Sequence, residues 1–393
     1  MKSYAVPVAA GLVTAFAGFA SSFAVILRGL SAVGATDAQA ASGLMALAVA
    51  MGVAGVVLSL WYRMPISSAW STPGAALLAA TGAVAGGFSA AVGAFVVTGL
   101  LIVAAGLIKP FGRAVAAIPS SLANAMLAGV LFGLCLAPIK ALIEVPASAA
   151  LVIVSWLLVS RWKRVFATPT AAIVAGLLIA FSGEGPPLSL ASLMPTAVWT
   201  NPQFTWEAVV SLALPLFIVT MASQNLPGLA VLRAYQFDVE PGPLIATTGV
   251  FSLLATPFGG HAVNLSAITA AMCASPDASP DPSKRWVASL TAGVTYVIFG
   301  LGAGWLTRFA SGSPILIEAV AGLALLNAFG SALHNALADP NEREAALATF
   351  LVACSGVAFY GIGGAFWGLL AGGAILILTR AGAFSPPARG TPR

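Results

Sequence analysis

The sequence predicts an all-α polytopic membrane protein of about 14 transmembrane segments, built as two inverted seven-helix repeats. Three observations carry this reading. Hydrophobic residues make up 59% of the 393-residue chain and charged residues only 7%, too few to cover a soluble surface of that size. Two Pro-led stretches, Pro65 to Gly82 (PISSAWSTPGAALLAATG) and Pro257 to Ala274 (PFGGHAVNLSAITAAMCA), interrupt the hydrophobic pattern 192 residues apart, close to half the chain. Unpaired backbone survives inside a bilayer only where it lines a cavity or packs in protein, and matched breaks in two halves point to a transporter's substrate site. Finally, sorting the 17 Lys and Arg onto the predicted spans puts 14 on the side of the termini and only Arg28, Lys140 and Arg308 opposite. The positive-inside rule makes that side cytoplasmic.

A spanning helix needs about 20 apolar residues. By that ruler the first half contains spans near 7–30, 38–61, 65–82 (broken), 86–108, 116–137, 145–161 and 168–182. The second half contains 207–233, 242–256, 257–274 (broken), 284–307, 314–336, 343–360 and 362–380. Met1 to Arg28 reads as an ordinary first span, because the apolar run is long and lacks a small-residue cleavage site. Seven spans per half is odd, so the second half is inverted relative to the first. Pro119 and Pro314, 195 residues apart, open the fifth and twelfth spans, and Ala20-Ser21-Ser22 corresponds more weakly to Ala222-Ser223-Gln224. The expected organisation is a first repeat over 1–183, a linker over 184–206, a second repeat over 207–381 and a cytoplasmic tail over 382–393. The small-residue runs Gly82 to Gly86 and Gly361 to Gly373 predict close helix packing.

Chemistry-bearing residues are few. No GxxxxGK[ST], HExxH or GxSxG pattern is present, which removes the usual engines of ATP-driven transport, zinc hydrolysis and acyl transfer. No catalytic residue, cofactor or metal is expected, and Cys135, Cys273 and Cys354 read as small buried hydrophobes. Nearly all 12 acidic residues fall in loops; Glu318 is the exception, read as an interfacial acid beside Arg308. The net charge of +5 is topological and calls for no nucleic acid.

Polar side chains at mid-depth are informative because burying them costs free energy that only a partner or ligand returns. His261 lies in the second break, and imidazole ordinarily titrates near neutrality; it is either a proton-coupling group or a neutral ring satisfied by backbone. His334, beside Asn335 and Asp339 at a span end, reads as structural. Gln224 and Asn225 precede Pro227 within an apolar span, and serve either as ligands or as repair for the kink. Ser71 and Thr72 precede Pro73, and Asn264 precedes Ser266; these positions are expected to start half-helices, whose exposed N–H groups favour an anion. The backbone at Gly260 and the rings of Phe23, Trp70 and Phe258 complete the candidate surround.

The stretches MASQNLPGLAVLRA (221–234) and TPFGGHAVNLSAITAAMCASPDASPDPSKRW (256–286) closely resemble signatures of the benzoate:proton symporter (BenE) family. The resemblance extends in length and span layout over essentially the whole chain. It implies import of benzoate with a proton across the bacterial inner membrane. It also implies the inverted seven-plus-seven fold shared with nucleobase and sulfate or bicarbonate transporters, with core and gate domains and short strands in the third and tenth spans. Nucleobase relatives typically carry acids where this chain has Gln224 and His261, a departure that suits an anionic carboxylate.

The sequence therefore predicts a secondary active transporter for benzoate or a similar aromatic carboxylate, working by proton symport and alternating access. The expected substrate-binding set is Phe23, Ser71, Thr72, Gln224, Asn225, Phe258, Gly260 and Asn264, with His261 coupling the proton. Expected partners are the aromatic acid, the proton and the lipid bilayer, with a homodimer as the candidate assembly. A passive anion channel or facilitator, or a carrier of another small planar anion or nucleobase, is the alternative on the same fold.

Overall fold

A computed structural model describes residues 4–182, 195–304, 313–360 and 362–382. Lys2, Arg308, Arg389 and Arg393, residues 184–194 of the expected linker and nearly all of the expected tail lie outside the described residues. Seven of the described helices are long and apolar enough to cross a membrane.

The first half comprises α1 (Ala5–Ala20), α2 (Phe23–Ala32), α3 (Asp37–Tyr62), β1 (Ser68–Trp70), α4 (Thr72–Thr81) and α5 (Gly87–Leu107). It continues through α6 (Lys109–Ala116), α7 (Ser120–Cys135), α8 (Ala137–Glu144), α9 (Pro146–Trp162) and α10 (Arg164–Phe181). The second half comprises α11 (Trp206–Ala234), α12 (Pro241–Ala255), β2 (Val263–Leu265), α13 (Ile268–Ala274) and α14 (Trp286–Leu301). It ends with α15 (Pro314–Ala336), α16 (Arg343–Cys354), the two-residue strands β3 (Ala358–Phe359) and β4 (Ile362–Gly363), and α17 (Gly364–Gly382).

The helices sort into two groups. In one, α3 packs along α14, α5 along α12, α1 on α14 and α2 on α4. In the other, α7 packs on α15 and α16, α9 on α10, and α16 on α17. The pairs α3 with α14, α5 with α12 and α7 with α15 each join a helix of the first half to one of the second, so both groups draw on both halves of the chain. Gly52 of α3 and Gly293 of α14 bring the two backbones together: a Cβ on either would stand 2.5 to 2.7 Å from the other's carbonyl oxygen. Close approach of this kind replaces the hydrophobic driving force that lipid cannot supply between helices.

Several expectations need correction. The first span is interrupted: the Ser21 and Ser22 hydroxyls both donate to the Gly18 carbonyl, at 3.1 and 2.9 Å, and α1 stops two residues short of α2. Local side-chain bonds of this type compete with the helical ladder. The fifth span starts at Ser120 rather than near 116 and runs on to Glu144, while α6 forms a separate short helix before it. Gly82 to Gly86 is a turn between α4 and α5, because Gly82 and Gly86 take φ of +71° and +89° and no helix crosses Gly82. The run in α17 does pack closely: a Cβ on Gly368 or Gly372 would press 2.6 Å from a carbonyl oxygen of α16. Glu318 pairs with Arg28 at 3.1 Å, while Arg308, its expected neighbour, lies outside the described residues.

In α11 the helix widens twice into π turns, at Val209–Ala213 and Met221–Asn225. Pro215 and Pro227 each follow two residues later. A proline supplies no N–H and its ring clashes with the carbonyl four residues back, so a widened turn displaces that carbonyl from the ring.

Candidate substrate site at the strand crossing

The two broken segments meet each other. β1 and β2 pair antiparallel, with Ser68 opposite Leu265, Ala69 opposite Asn264 and Trp70 opposite Val263. Two further bonds extend the ladder, Ser71 N–H to Ala262 O at 3.0 Å and Ser266 N–H to Ser67 O at 2.9 Å. Each break thus satisfies the other's backbone where water is absent, which explains how an irregular chain persists at this depth.

Neighbouring helices anchor the crossing through polar atoms. Asn225 Oδ1, in the second π turn of α11, accepts from Leu265 N–H at 2.9 Å, and its Nδ2 donates to Met221 Sδ at 3.3 Å. Ser252 Oγ of α12 accepts from Val263 N–H at 2.8 Å. Trp70 Nε1 donates to Ser22 Oγ at 2.8 Å, tying β1 to the interruption in the first span. Ser67 and Thr269 hydroxyls lie 2.7 Å apart.

Ser71 is the busiest residue. Its Oγ caps α4 by accepting from Gly74 N–H at 3.1 Å and lies 2.9 Å from Thr220 Oγ1 of α11. Its carbonyl oxygen is 2.9 Å from Nε2 of the fully buried His261. A carbonyl oxygen can only accept, so the bond assigns the proton to Nε2 and leaves Nδ1 as the bare nitrogen. Nδ1 has no hydrogen-bond partner among the described residues, and the imidazole is held edge-on to Phe95 with centroids 6.2 Å apart.

The expected site residues therefore separate by what their polar atoms already do. Ser71 and Asn225 are committed to structure. Gly260 N–H donates to Ala255 O at 3.0 Å in a tight turn. Asn264 does not start a half-helix, as the sequence suggested; it lies in β2, and α13 begins at Ile268 with Ser266 Oγ accepting from Thr269 N–H. The β-branched Val263 and the ladder partner in β1 favour strand there. Asn264 Nδ2 donates to Leu265 O at 2.8 Å, while its buried Oδ1 has no partner. Thr72 and Gln224 are half-buried, and their side chains hold no hydrogen bond among the described residues. Phe258 is not at the crossing: it follows α12 and meets the exposed Trp199 edge-on at 5.6 Å. Phe23 stacks on Phe19, whose ring touches Trp70 at 5.1 Å. Phe16, Phe19 and Phe23 wall an apolar cavity of about 610 Å³ between the helix groups, with Pro169 and Ile173 of α10 and Phe299 of α14 opposite.

Sequence reasoning missed Ser252, Met51 and Thr220 as supports. Thr220 was the most findable, since it lies four residues before Gln224 on one helix face. Met51, whose Sδ accepts from Trp70 N–H at 3.1 Å, gives no sequence signal among so many apolar residues.

A crossed pair of strand-plus-half-helix segments, embedded in two inverted repeats of spanning helices, defines a membrane transporter rather than an enzyme. Solved structures agree on the fold: the transmembrane domain of a cyanobacterium bicarbonate transporter, BicA, aligns with a TM-score of 0.57 at 16% identity, covering 95% of this chain and 94% of that one. The structure of SLC26A9 aligns with a TM-score of 0.58 at 14% identity, covering 95% of this chain and 65% of that one. The chain belongs to the BenE family, described as benzoate membrane transport protein, which matches residues 2–378. It is 40% identical over 385 residues to the inner membrane protein YdcO of Escherichia coli, covering 96% of this chain and 97% of that one. It is 31% identical over 332 residues to the benzoate membrane transport protein of Acinetobacter baylyi, covering 84% of each.

Proposed function

We propose that this protein imports benzoate or a similar aromatic carboxylate together with a proton across a bacterial inner membrane, by alternating access. Family membership and the relative named for benzoate support the substrate class, and YdcO supports the membrane. One observation carries the coupling: Ser71 caps α4 with its hydroxyl and holds His261 with its carbonyl.

In this reading the carboxylate lies at the start of α4, accepting from Thr72 and from the Gln224 amide, with its ring toward the Phe23 wall. The positive end of α4 and uncharged donors favour an anion without a buried Lys or Arg. The proton goes to His261 Nδ1, the nitrogen with no partner. A cation there and an anion at Thr72 attract each other across one residue, so each ligand raises affinity for the other by the same factor. Symport follows if only the empty and doubly loaded forms change access. The repeats divide at the 184–206 linker, with α1–α5 and α11–α14 as the core and the remaining spans as the gate.

Purified protein in proteoliposomes should take up labelled benzoate in response to an inward-directed proton gradient. Absence of gradient-dependent accumulation, with saturable equilibration retained, would favour a facilitator instead. His261→Gln should lose accumulation and keep counterflow exchange; unchanged accumulation would remove His261 from the coupling step.

A further inference from the structure

Beyond the end of α5, a cavity of about 820 Å³ opens between α6, the end of α11 and the start of α12. Lys109 and Arg113, one turn apart on α6, and Arg233, at the end of α11, line it. All three side chains are exposed and none has an ion-pair or hydrogen-bond partner among the described residues. Glu240, the acid in the lining, pairs with none of them. The rest of the lining is largely apolar, with Leu226 and Leu229 of α11 and Ile245 of α12.

The elements around it place it at a membrane boundary. α5 ends there at Leu107, α11 at Ala234, and α12 begins at Pro241. Leu107 and Ile108, immediately before the first cation, are 68% and 53% exposed. Apolar side chains so exposed beside an unpaired lysine fit the depth where acyl chains give way to headgroups. α6 itself is divided the same way. Val115 is buried and Phe111 stacks on Phe217 at 5.9 Å, while Lys109 and Arg113 face outward.

We propose that this cavity binds the phosphate of an anionic phospholipid, with Lys109, Arg113 and Arg233 holding the headgroup and the Leu226–Leu229 wall receiving the upper acyl chain. The cationic rim and apolar floor match an amphiphile better than a free ion, which would gain nothing from the floor. α6 joins α5 of one helix group to α7 of the other, so a lipid fixed against it would also restrain the link between the groups.

The test uses the full chain in an uncharged detergent, titrated with phosphatidylglycerol, phosphatidylcholine or inorganic phosphate while the melting temperature is read. Phosphatidylglycerol should raise it and the other two should not. The K109Q/R113Q/R233Q variant should melt like the parent in detergent alone and bind phosphatidylglycerol about a hundredfold more weakly. R161Q/K163Q/R164Q, which removes as many exposed charges at the α9–α10 turn, should keep the parental response. An unchanged lipid response in the first variant, an equal loss in the second, or an equal shift with phosphatidylcholine would overturn the proposal. An equal shift with inorganic phosphate would assign the cavity to a free oxyanion and overturn the lipid. Should the triple variant fail to fold, Arg233→Gln alone must weaken the lipid response several-fold, and an unaltered response would overturn the proposal.

Discussion

Arg28 Nε lies 3.1 Å from Glu318 Oε1, and the pair joins α2 of one helix group to α15 of the other. The other ion pairs among the described residues, Lys284 with Asp281 and Arg380 with Glu342, stay within one group. A half-exposed pair contributes little to stability, under about 1 kcal/mol, but a contact between the two groups biases their relative position. Glu318→Gln should therefore leave the melting temperature nearly unchanged and broaden the spin-label distance distribution between α2 and α15. The swapped variant R28E/E318R should restore the parental distribution; a distribution unmoved by Glu318→Gln would mean that the pair does not latch the groups.

Asn225 should behave as a structural residue. Asn225→Ala strands the buried Leu265 N–H, at a cost of about 1–3 kcal/mol, and should lower the melting temperature of the detergent-solubilised protein. A parental melting temperature would show that the strand crossing does not depend on this amide.

Gln224, its immediate neighbour, should behave in the opposite way. Its side-chain amide holds no bond among the described residues, so Gln224→Ala should change stability by less than about 0.5 kcal/mol. Loss of one hydrogen bond to a carboxylate, about 1.5–3 kcal/mol, should raise the KM for benzoate uptake roughly ten- to a hundredfold. An unaltered KM would place the carboxylate elsewhere.

Trp70 and Ser22 should be energetically coupled. Ser22→Ala leaves the indole N–H of a residue only 3% exposed without its acceptor, and Trp70→Phe removes the donor. A double-mutant cycle on melting free energies should return about 1 kcal/mol of coupling; additive losses would mean that the first-span interruption is not held by β1.

Proline and glycine made both breaks legible in the sequence, because Pro65, Pro73 and Pro257 forbid a continuous helix whatever surrounds them. Span positions were legible for the same reason that any bilayer span is, since length and apolarity are local properties. The interruption at Ser21-Ser22 was not, because serine breaks a helix only when its hydroxyl finds a nearby carbonyl. For Asn264 the residues alone suggested a half-helix start and only the family resemblance implied a strand in that span, because the strand depends on β1 lying alongside and hence on a contact about 195 residues away. Among the candidate site residues, Ser71, Thr72 and His261 lie at or beside the crossing, and Gln224 adjoins Asn225, which anchors it. Phe258 does not, since adjacency in sequence to His261 says nothing about which side of a turn at Gly259 and Gly260 a ring will occupy.

The pairing of β1 with β2 also constrains how the family can vary. Side chains alternate along a strand, so one residue added to or removed from either strand reverses the facing of its neighbours. A deletion in β2 would exchange Asn264 with an aliphatic neighbour opposite Ala69 and misplace both Ser71 and His261 relative to α4. Such a change could be accommodated only by a matching change in the other half of the chain. Insertions and deletions at these two places should therefore be inherited together or not at all, while the turn between α4 and α5, free of such a partner, can change length alone.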